Sequence, residues 1–470
     1  MRKNIWTSLF LTGALALGLL TGCSNKKVIY DIDHTQSTQS GMKSDGGFGL
    51  AQFADAETWK ESWKATNAAG DTYDISISAD ISVPEVDQMS VVEVKEAEMD
   101  EAFKKQIIEG LFPEETVYNN DADHWPKERV QQQIEKLEEE LKQMKQNKES
   151  FDEEDYNQSI KALDDEIKKY TAQLSSAPSD YQPVKEYRGS SYLIEHDGIF
   201  YRIEFDETNY GAFCMKTVHM EPDDYQTLCP DELKEKDWHW YEGEESTEEN
   251  KCSLTKQEAQ AVAERALSAM NLTDMVLEET LPLVWGGNIS GDDGIGIENE
   301  KVTDGWKFSY GMGIEGVSFR QYGTENDYRF DEFYESMAKG EDYMYSMNSG
   351  IALSIMDEGV IGMELCCPIE ITSVTKDVEL LSMENIQTIM RNELTEHIDQ
   401  YPSLESVNYY TNMELIYFRI RDEEKKGYYS YVPVWRLSVQ FEDEDGNQQM
   451  ERAVLVNAID GGVIYLQDEF

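Results

Sequence analysis

The sequence is poor in basic residues. It has 41 lysines and arginines against 94 aspartates and glutamates in 470 residues, a formal net charge of −53 at pH 7. Such a surface repels nucleic acid and anionic lipid headgroups, so the composition argues against both as partners. Cationic partners and diffuse binding of divalent ions stay open, beside the simpler interpretation that the acidic residues keep the protein dispersed.

Long apolar runs are also scarce. After the N-terminal segment, none approaches the roughly 20 apolar residues that a membrane-spanning helix needs. Apolar residues nevertheless make up 40% of the chain and aromatic residues 11%, which excludes a disordered polyanion. At about 100–200 residues per domain, the length predicts two to four domains.

Cysteine is rare, and no Cys-x-x-Cys pair occurs. Beyond Cys23, the cysteines are Cys214, Cys229, Cys252, Cys366 and Cys367. A disulfide among the first three of these is compatible with an oxidising compartment. Cys366 and Cys367 lie in an apolar run typical of a strand, which favours buried thiols.

The N-terminus has the features of an export signal. Arg2 and Lys3 precede the apolar run Ile5–Leu20, and the segment ends in Leu-Thr-Gly-Cys at Cys23. This ending resembles the bacterial lipoprotein signal. The resemblance implies that residues 1–22 are removed, that the sulfur of Cys23 carries a lipid, and that the rest of the protein lies outside the cytoplasm at the cell membrane. The alternative is an uncleaved anchor helix, which also holds the chain at the membrane.

Residues 23–55 are rich in Ser, Gln, Gly and Asp, which predicts a flexible tether. An N-terminal α+β domain is predicted over 56–220. In "YDISISADISV" (73–83) apolar residues alternate strictly, as in a half-buried strand, and a helix is predicted at about 99–111. The strands on either side of the following helices are predicted to share one sheet.

A pair of long helices is predicted at 127–175. The apolar residues step by four and three in two series separated by a polar break: Val130, Ile134, Leu137, Leu141 and Met144, then Tyr156, Ile160, Leu163, Ile167, Tyr170 and Leu174. The break favours an antiparallel helical hairpin over the alternative, one long helix that dimerises.

An acidic linker at 221–252 is predicted to precede two copies of one unit, at 253–375 and 376–470. Each copy begins with a capped helix, continues to a tryptophan (Trp306 or Trp435) and closes on an acidic turn. The turn residues are Asp357 and Gly359 in the first copy and Asp460 and Gly462 in the second. One helix followed by a meander of strands predicts a helix packed on an antiparallel sheet, duplicated in the C-terminal half, and so an α+β fold.

These repeated residues are predicted to be structural. Aspartate bonds its own turn, glycine supplies the positive φ that a tight hairpin needs, and tryptophan fills the core beneath the helix.

The stretch from "YVPVWRLSV" to "NAIDGGVI" resembles the end of PepSY-type domains and of YycH/YycI-like extracytoplasmic regulators. The matching residues are Pro433, Trp435, Asn457, Ala458 and Gly461 or Gly462. The whole chain also resembles uncharacterised lipoproteins of Gram-positive gut bacteria. The regulator families imply a non-catalytic, membrane-tethered protein that binds another extracytoplasmic protein. This chain departs from that pattern in two ways. The expected lipid replaces their transmembrane helix, and residues 56–220 have no counterpart in those families.

No catalytic, cofactor or metal motif was identified. "GMGIEG" (311–316) matches G-x-G-x-x-G but lacks the strand-to-helix context of a dinucleotide loop. The acidic loops at 291–300 and 442–451 do not fit the EF-hand register, and the six histidines lack zinc spacing.

The sequence therefore predicts a non-catalytic accessory or regulatory protein, anchored through Cys23, that binds an envelope protein or peptide. The alternatives are a lipoprotein that captures a sugar, peptide or cation, and an unrecognised envelope hydrolase. No cofactor is predicted.

If Cys23 is the lipid site, Cys23→Ser should abolish incorporation of a labelled fatty acid and release the protein from the membrane fraction, because the anchor is lost. Cys252→Ser is the control and should behave as wild type. A Cys23→Ser protein that stays membrane-bound without label would instead indicate an uncleaved anchor helix.

Overall fold

The structure is a computed structural model. It describes residues 49–53, 57–67, 70–148, 153–196, 199–206, 211–217, 238–241, 250–287, 301–319, 349–397, 407–421, 428–442 and 448–464. Cys23 lies outside these residues. Among the helices described, none has both the length and the apolar character needed to cross a membrane.

The described residues include five α-helices: α1 Glu101–Leu111, α2 Lys127–Gln146, α3 Glu153–Gln173, α4 Lys256–Ala269 and α5 Met383–Glu396. The strands of the N-terminal half are β1 Thr58–Thr66, β2 Thr72–Ser82, β3 Val91–Glu96, β4 Val117–Asn119, β5 Ser191–His196, β6 Ile199–Asp206, β7 Gly211–Thr217 and β8 Trp238–Tyr241. Those of the C-terminal half are β9 Met275–Gly287, β10 Lys301–Ile314, β11 Val317–Ser318, β12 Gly350–Met356, β13 Gly359–Cys366, β14 Ile369–Thr375, β15 Val407–Arg421, β16 Tyr428–Glu442, β17 Gln448–Asn457 and β18 Val463–Ile464.

The strands form two sheets. The ten-stranded sheet has the order β4-β5-β6-β7-β13-β12-β10-β9-β8, with β11 paired to β10. The eight-stranded sheet has the order β1-β2-β15-β16-β17-β18, and β3 pairs with both β16 and β14. All pairings are antiparallel except that of β2 with β15. The architecture is therefore α+β, as predicted.

One unit, a helix followed by a four-stranded antiparallel meander, occurs three times. The middle unit is α4 with β9, β10, β12 and β13, and the C-terminal unit is α5 with β15 to β18. These two confirm the predicted duplication. The N-terminal unit is α1 with β4 to β7, and α2 and α3 are inserted between β4 and β5.

Each helix covers one face of its sheet. Ile107 and Ile108 of α1, with Ala259 and Ala263 of α4, are buried in one core over the ten-stranded sheet. Ile386, Met390 and Leu394 of α5 are buried in a second core over the eight-stranded sheet. Burial of these apolar side chains is the main contribution that holds helix to sheet.

The N-terminal and middle units share their sheet because their last strands, β7 and β13, pair with each other. This places α1 and α4 side by side on the same face. At their contact, a Cβ on Gly110 would lie 2.7 Å from the Cα of Met270, so only glycine fits without a shift. Gln106 Nε2 also donates to the carbonyl of Met270, at 2.7 Å.

Several local predictions are confirmed. In β2, Ile75, Ile77 and Ala79 are buried on one face. Thr255 and Glu258 form the predicted capping box of α4. α2 and α3 pack on each other as a hairpin, so the long-helix alternative is wrong.

Predictions that depend on long-range strand pairing differ from the structure. The prediction that the strand at 73–83 shares a sheet with the strands after the helical hairpin is wrong, because β1 to β3 join the eight-stranded sheet and β4 to β7 the ten-stranded one. β14, assigned by sequence to the unit at 253–375, pairs with β3 in the other sheet. Within the predicted linker 221–252, β8 pairs with β9. The predicted domain limits stay predictions.

The described cysteines Cys252, Cys366 and Cys367 are free thiols. Cys252 therefore takes no part in the disulfide that the sequence left open, and Cys229 lies outside the described residues. Cys367 is buried as predicted, whereas Cys366 is partly exposed.

The contact between α1 and α4 generates a prediction with a definite sign. Within a helix, Gly→Ala normally stabilises by up to about 1 kcal/mol. Gly110→Ala should instead lower the free energy of unfolding by about 1–2 kcal/mol, because overpacking costs about 1–3 kcal/mol.

The measurement is the midpoint of urea unfolding followed by circular dichroism. Lys105→Ala, an exposed change in the same helix, is the control and should stay within about 0.5 kcal/mol of wild type. An unchanged or raised midpoint for Gly110→Ala would show that α1 and α4 do not meet as described.

Candidate functional site

The repeated residues of the middle unit join its closing turn to the start of its helix. Trp306 Nε1 donates to the carbonyl of Leu254, at 3.1 Å, just before α4 begins. The Asp357 carboxylate accepts hydrogen bonds from the Ser253 amide and hydroxyl, each at 2.8 Å. Gly359 has a φ of 106°, a conformation that favours glycine.

The corresponding turn closes the C-terminal unit. Trp435 is fully buried beneath α5 and contacts Phe53 edge to face, with 5.2 Å between ring centroids. Asp460 accepts from the amide of Gly462, at 2.9 Å, so it bonds within its own turn. The positive φ belongs to Gly461, at 78°, and not to the predicted Gly462.

The two turns lie in different sheets over different cores, and the structure does not bring their residues into one site. Their contacts join each turn to its own unit, and the structural role of these residues stays a prediction. A Cβ on Gly461 would lie 2.7 Å from Ile389 Cδ1 of α5, so this turn closes directly against its helix. No ligand-binding arrangement follows from these residues.

The G-x-G-x-x-G match lies in a β-hairpin. Ile314 of β10 pairs with Val317 of β11, and the two turn residues, Glu315 and Gly316, both have positive φ. A Cβ on Gly311 would meet the side chains of Glu278 and Ser318, so this glycine lies in a packed part of the hairpin. The segment lacks the helix N-terminus that a dinucleotide site requires.

Asp121, Asp123 and His124 form a group of potential metal ligands whose ligand atoms lie within 4.8 Å of one another. Asp121 Oδ1 already accepts from the amides of Ser190 and Ser191 and from the Ser190 hydroxyl. Asp123 and His124 are exposed. Such a group does not by itself indicate a metal site.

The helical hairpin, α2 and α3, is the strongest candidate for a binding element. A helix of 20 residues is about 30 Å long. Close to the sheet, the apolar seam between α2 and α3 is well buried, at Val130, Ile134, Leu137 and Tyr170. Farther along, the seam residues are only partly buried: Leu141, Met144, Tyr156, Ile160 and Leu163.

The base of the hairpin is fixed to the ten-stranded sheet by a buried polar network. Asn120 donates from its amide to the Ser191 carbonyl and from Nδ2 to the Ser191 hydroxyl, each at 2.8 Å. Its Oδ1 accepts from Arg129 Nη1, in the first turn of α2. Trp125 Nε1 donates to the Asn120 carbonyl, at 2.7 Å. The start of α2 is thereby tied to β5.

The second leg of the hairpin is tied as well. The amide of Lys127 donates to the carbonyl of Pro178, at 2.8 Å, and Gln173 Nε2 donates to the carbonyl of Ala122. The chain after α3 then runs beside β4, where the amide of Val184 donates to the carbonyl of Val117, at 2.7 Å. Both legs are held, so the hairpin has a defined direction from the sheet.

Arg129 is the central group of this base. It is 7% exposed, and its guanidinium carbon lies 4.1 Å from the centroid of the Trp125 ring. Nη1 also donates to the Tyr181 hydroxyl, at 2.6 Å. Burial lowers the pKa of Arg129, and the Tyr181 hydroxyl offsets part of that effect. The guanidinium stays charged at neutral pH, because its usual pKa is 12.5.

Sequence reasoning predicted the hairpin but missed its base. In an amphipathic helix, Arg129 stands beside the seam residue Val130, and such positions are usually exposed. The available signal was the run "NNDADHWPKER" (119–129), in which a tryptophan and several polar residues precede the helix.

Comparisons with known proteins find distant structural neighbours but no family. No protein-family model matches the chain, and no curated protein matches it. A crystal structure of an uncharacterized protein from Eubacterium rectale is 10% identical, with a TM-score of 0.36, over 87% of this chain and 96% of the other. The YpeB C-terminal domain of Bacillus megaterium is 11% identical, with a TM-score of 0.19, over 58% of this chain and 86% of its own. Likeness at this level carries no argument about fold or function.

The Asp357 turn generates a prediction about pH. Desolvation raises the pKa of this carboxyl, but hydrogen bonds from Ser253, Cys252 and nearby backbone outweigh it, so the pKa lies below 3.8. The unfolded chain therefore takes up the proton first as the pH falls. The stabilisation is present above pH 3.8 and is lost as the pH falls through the folded-state pKa.

Asp357→Asn should lower the free energy of unfolding near neutral pH by about 0.5–1 kcal/mol, a small effect because the carboxylate is exposed. The difference from wild type should shrink below about pH 3.8, as measured by urea unfolding at about pH 6 and about pH 3. Asp460→Asn controls for loss of a carboxylate in the corresponding turn. A difference that grows on acidification would contradict the assignment.

Proposed function

We propose that this protein is an extracytoplasmic lipoprotein, held at the cell membrane by a lipid on Cys23, that binds another envelope protein or peptide in an accessory or regulatory role. The helical hairpin is the binding element, and the sheets with their three helices are the platform that carries it. The lipoprotein-like signal and the PepSY-like stretch at 431–464 support the location and the class of protein.

The observation that carries the proposal is the contrast along the hairpin. At the base, a buried network and a buried seam hold α2 and α3 in place. Toward the tip, Leu141, Met144 and Ile160 remain partly exposed on the seam. Two helices alone cannot enclose an apolar seam, and an amphipathic segment laid along it would complete the burial.

The charge of the hairpin suits a protein partner. The exposed side of α2 carries both lysine and glutamate, including the i,i+3 pair Glu139 and Lys142 with 2.6 Å between Oε2 and Nζ. Exposed pairs of this kind add little stability but set orientation at helix interfaces. The surface therefore offers both apolar area and a charge pattern for selecting a partner.

The proposal predicts where a partner can be captured. A photo-crosslinking amino acid at Gln143, an exposed position near the tip of α2, should give a discrete crosslinked product in cells that contain the membrane-anchored protein. The same group at Glu85, exposed in the loop between β2 and β3, is the matched control and should give none. Mass spectrometry then identifies the product.

Crosslinking that is equal at the two positions would mean that the hairpin is not the binding element. If neither position crosslinks a protein and a small molecule copurifies instead, the protein is a ligand-capturing lipoprotein and the proposal is wrong.

A further inference from the structure

Arg129 is an unusual cation in this chain. The protein has 94 acidic residues, yet no carboxylate in the described part of the chain forms an ion pair with this buried guanidinium. Its two protein acceptors, Asn120 Oδ1 and the Tyr181 hydroxyl, are neutral and both bind Nη1. Nε is buried and has no acceptor. A buried charge without a counter-ion is costly and calls for a physical explanation.

The bonds that Arg129 makes leave one specific edge unused. In a guanidinium, the N–H bonds of Nε and Nη2 point to the same side, and this edge matches the two oxygens of a carboxylate. Within the described residues, neither nitrogen has an acceptor. Arg129 is thus held through Nη1 while the edge suited to a bidentate carboxylate stays unfilled.

The surroundings strengthen an interaction at this edge. The Trp125 ring lies against one face of the guanidinium and is itself stacked on Tyr170, with 5.7 Å between ring centroids. Aromatic walls lower the local dielectric, so a charge-assisted bond gains more there than in water. The electrostatic influences on Arg129 come from Tyr181, Tyr170 and a second cation, Arg202. The nearby carboxylate of Asp121 is engaged by Ser190 and Ser191.

We propose that the Nε–Nη2 edge of Arg129 binds a carboxylate group supplied by the protein partner, at the point where the helical hairpin meets the sheet. The inference rests on the proposed function for the source of the carboxylate. Nε is buried in this arrangement, so an oxygen that reaches it requires a local rearrangement of the surrounding side chains. A planar carboxylate fits a single free fork, whereas phosphate sites usually combine several donors.

The test is a titration of the full-length protein in detergent with sodium acetate against sodium chloride at constant ionic strength, followed by tryptophan fluorescence and thermal unfolding. Wild type should show a saturable response to acetate alone. Asn120→Asp places a carboxylate on Nη1 and neutralises the guanidinium, so it should fold and bind acetate at least about tenfold more weakly.

Arg129→Met should lose the response, and Arg188→Met is the matched control, because Arg188 is an exposed arginine paired with Glu101. The control should retain wild-type affinity. An acetate response no larger than that to chloride, or an equal response in wild type and Asn120→Asp, overturns the site even if Arg129→Met fails to fold.

The source of the carboxylate is tested with a short neutral peptide that carries one glutamate and with its glutamine counterpart. Tighter binding of the glutamate peptide than of acetate supports a protein partner, whereas equal binding assigns the site to free small acids and overturns that part of the proposal. Crosslinking at Gln143 is scored separately. Acetate binding without a crosslinked protein would defeat the proposed function and leave the carboxylate site standing.

Discussion

The pairing of β7 with β13 is the contact on which the ten-stranded sheet depends. A four-stranded meander leaves two edges with unpaired backbone groups, and such edges invite unwanted pairing. The N-terminal and middle units satisfy one edge each by pairing their last strands, in a register that runs from Gly362 opposite Met215 to Cys366 opposite Gly211. Both helices then share one face, which is why their contact requires glycine at position 110.

The same constraint explains how β1 to β3 come to lie beside the C-terminal unit. The edge of β15 is paired by β2, in parallel, and part of the edge of β16 is paired by β3. Trp63 Nε1 donates to Thr395 Oγ1, at 2.9 Å, across 332 positions of sequence. The sheet of the C-terminal unit is therefore extended by β1 to β3, the first strands that the structure describes. Contacts of such high sequence separation form only after large loops close, which makes folding of this sheet slow.

The sequence predicted what depends on local periodicity. Strict alternation identified β2, heptad spacing identified α2 and α3, and Thr255 with Glu258 identified the start of α4. Which strands pair depends on contacts between strand edges that lie far apart in the sequence. The division of residues 56–220 between two sheets therefore could not be predicted from local patterns. The N-terminal unit was missed for a related reason, because the hairpin separates β4 from β5. Arg129 was missed because its burial depends on Asn120 and Tyr181, and no local pattern joins these residues.

The contrast between platform and hairpin follows from how each is stabilised. The platform buries helices against extended sheets, whereas a two-helix hairpin has little core of its own. The buried bonds of Asn120, Trp125 and Arg129 hold the hairpin at its base. They do nothing for the apolar seam toward the tip. The base already fixes the orientation of the hairpin, so a partner that covers the seam toward the tip loses less conformational entropy on binding. The apolar area that the partner buries there then contributes more fully to the affinity.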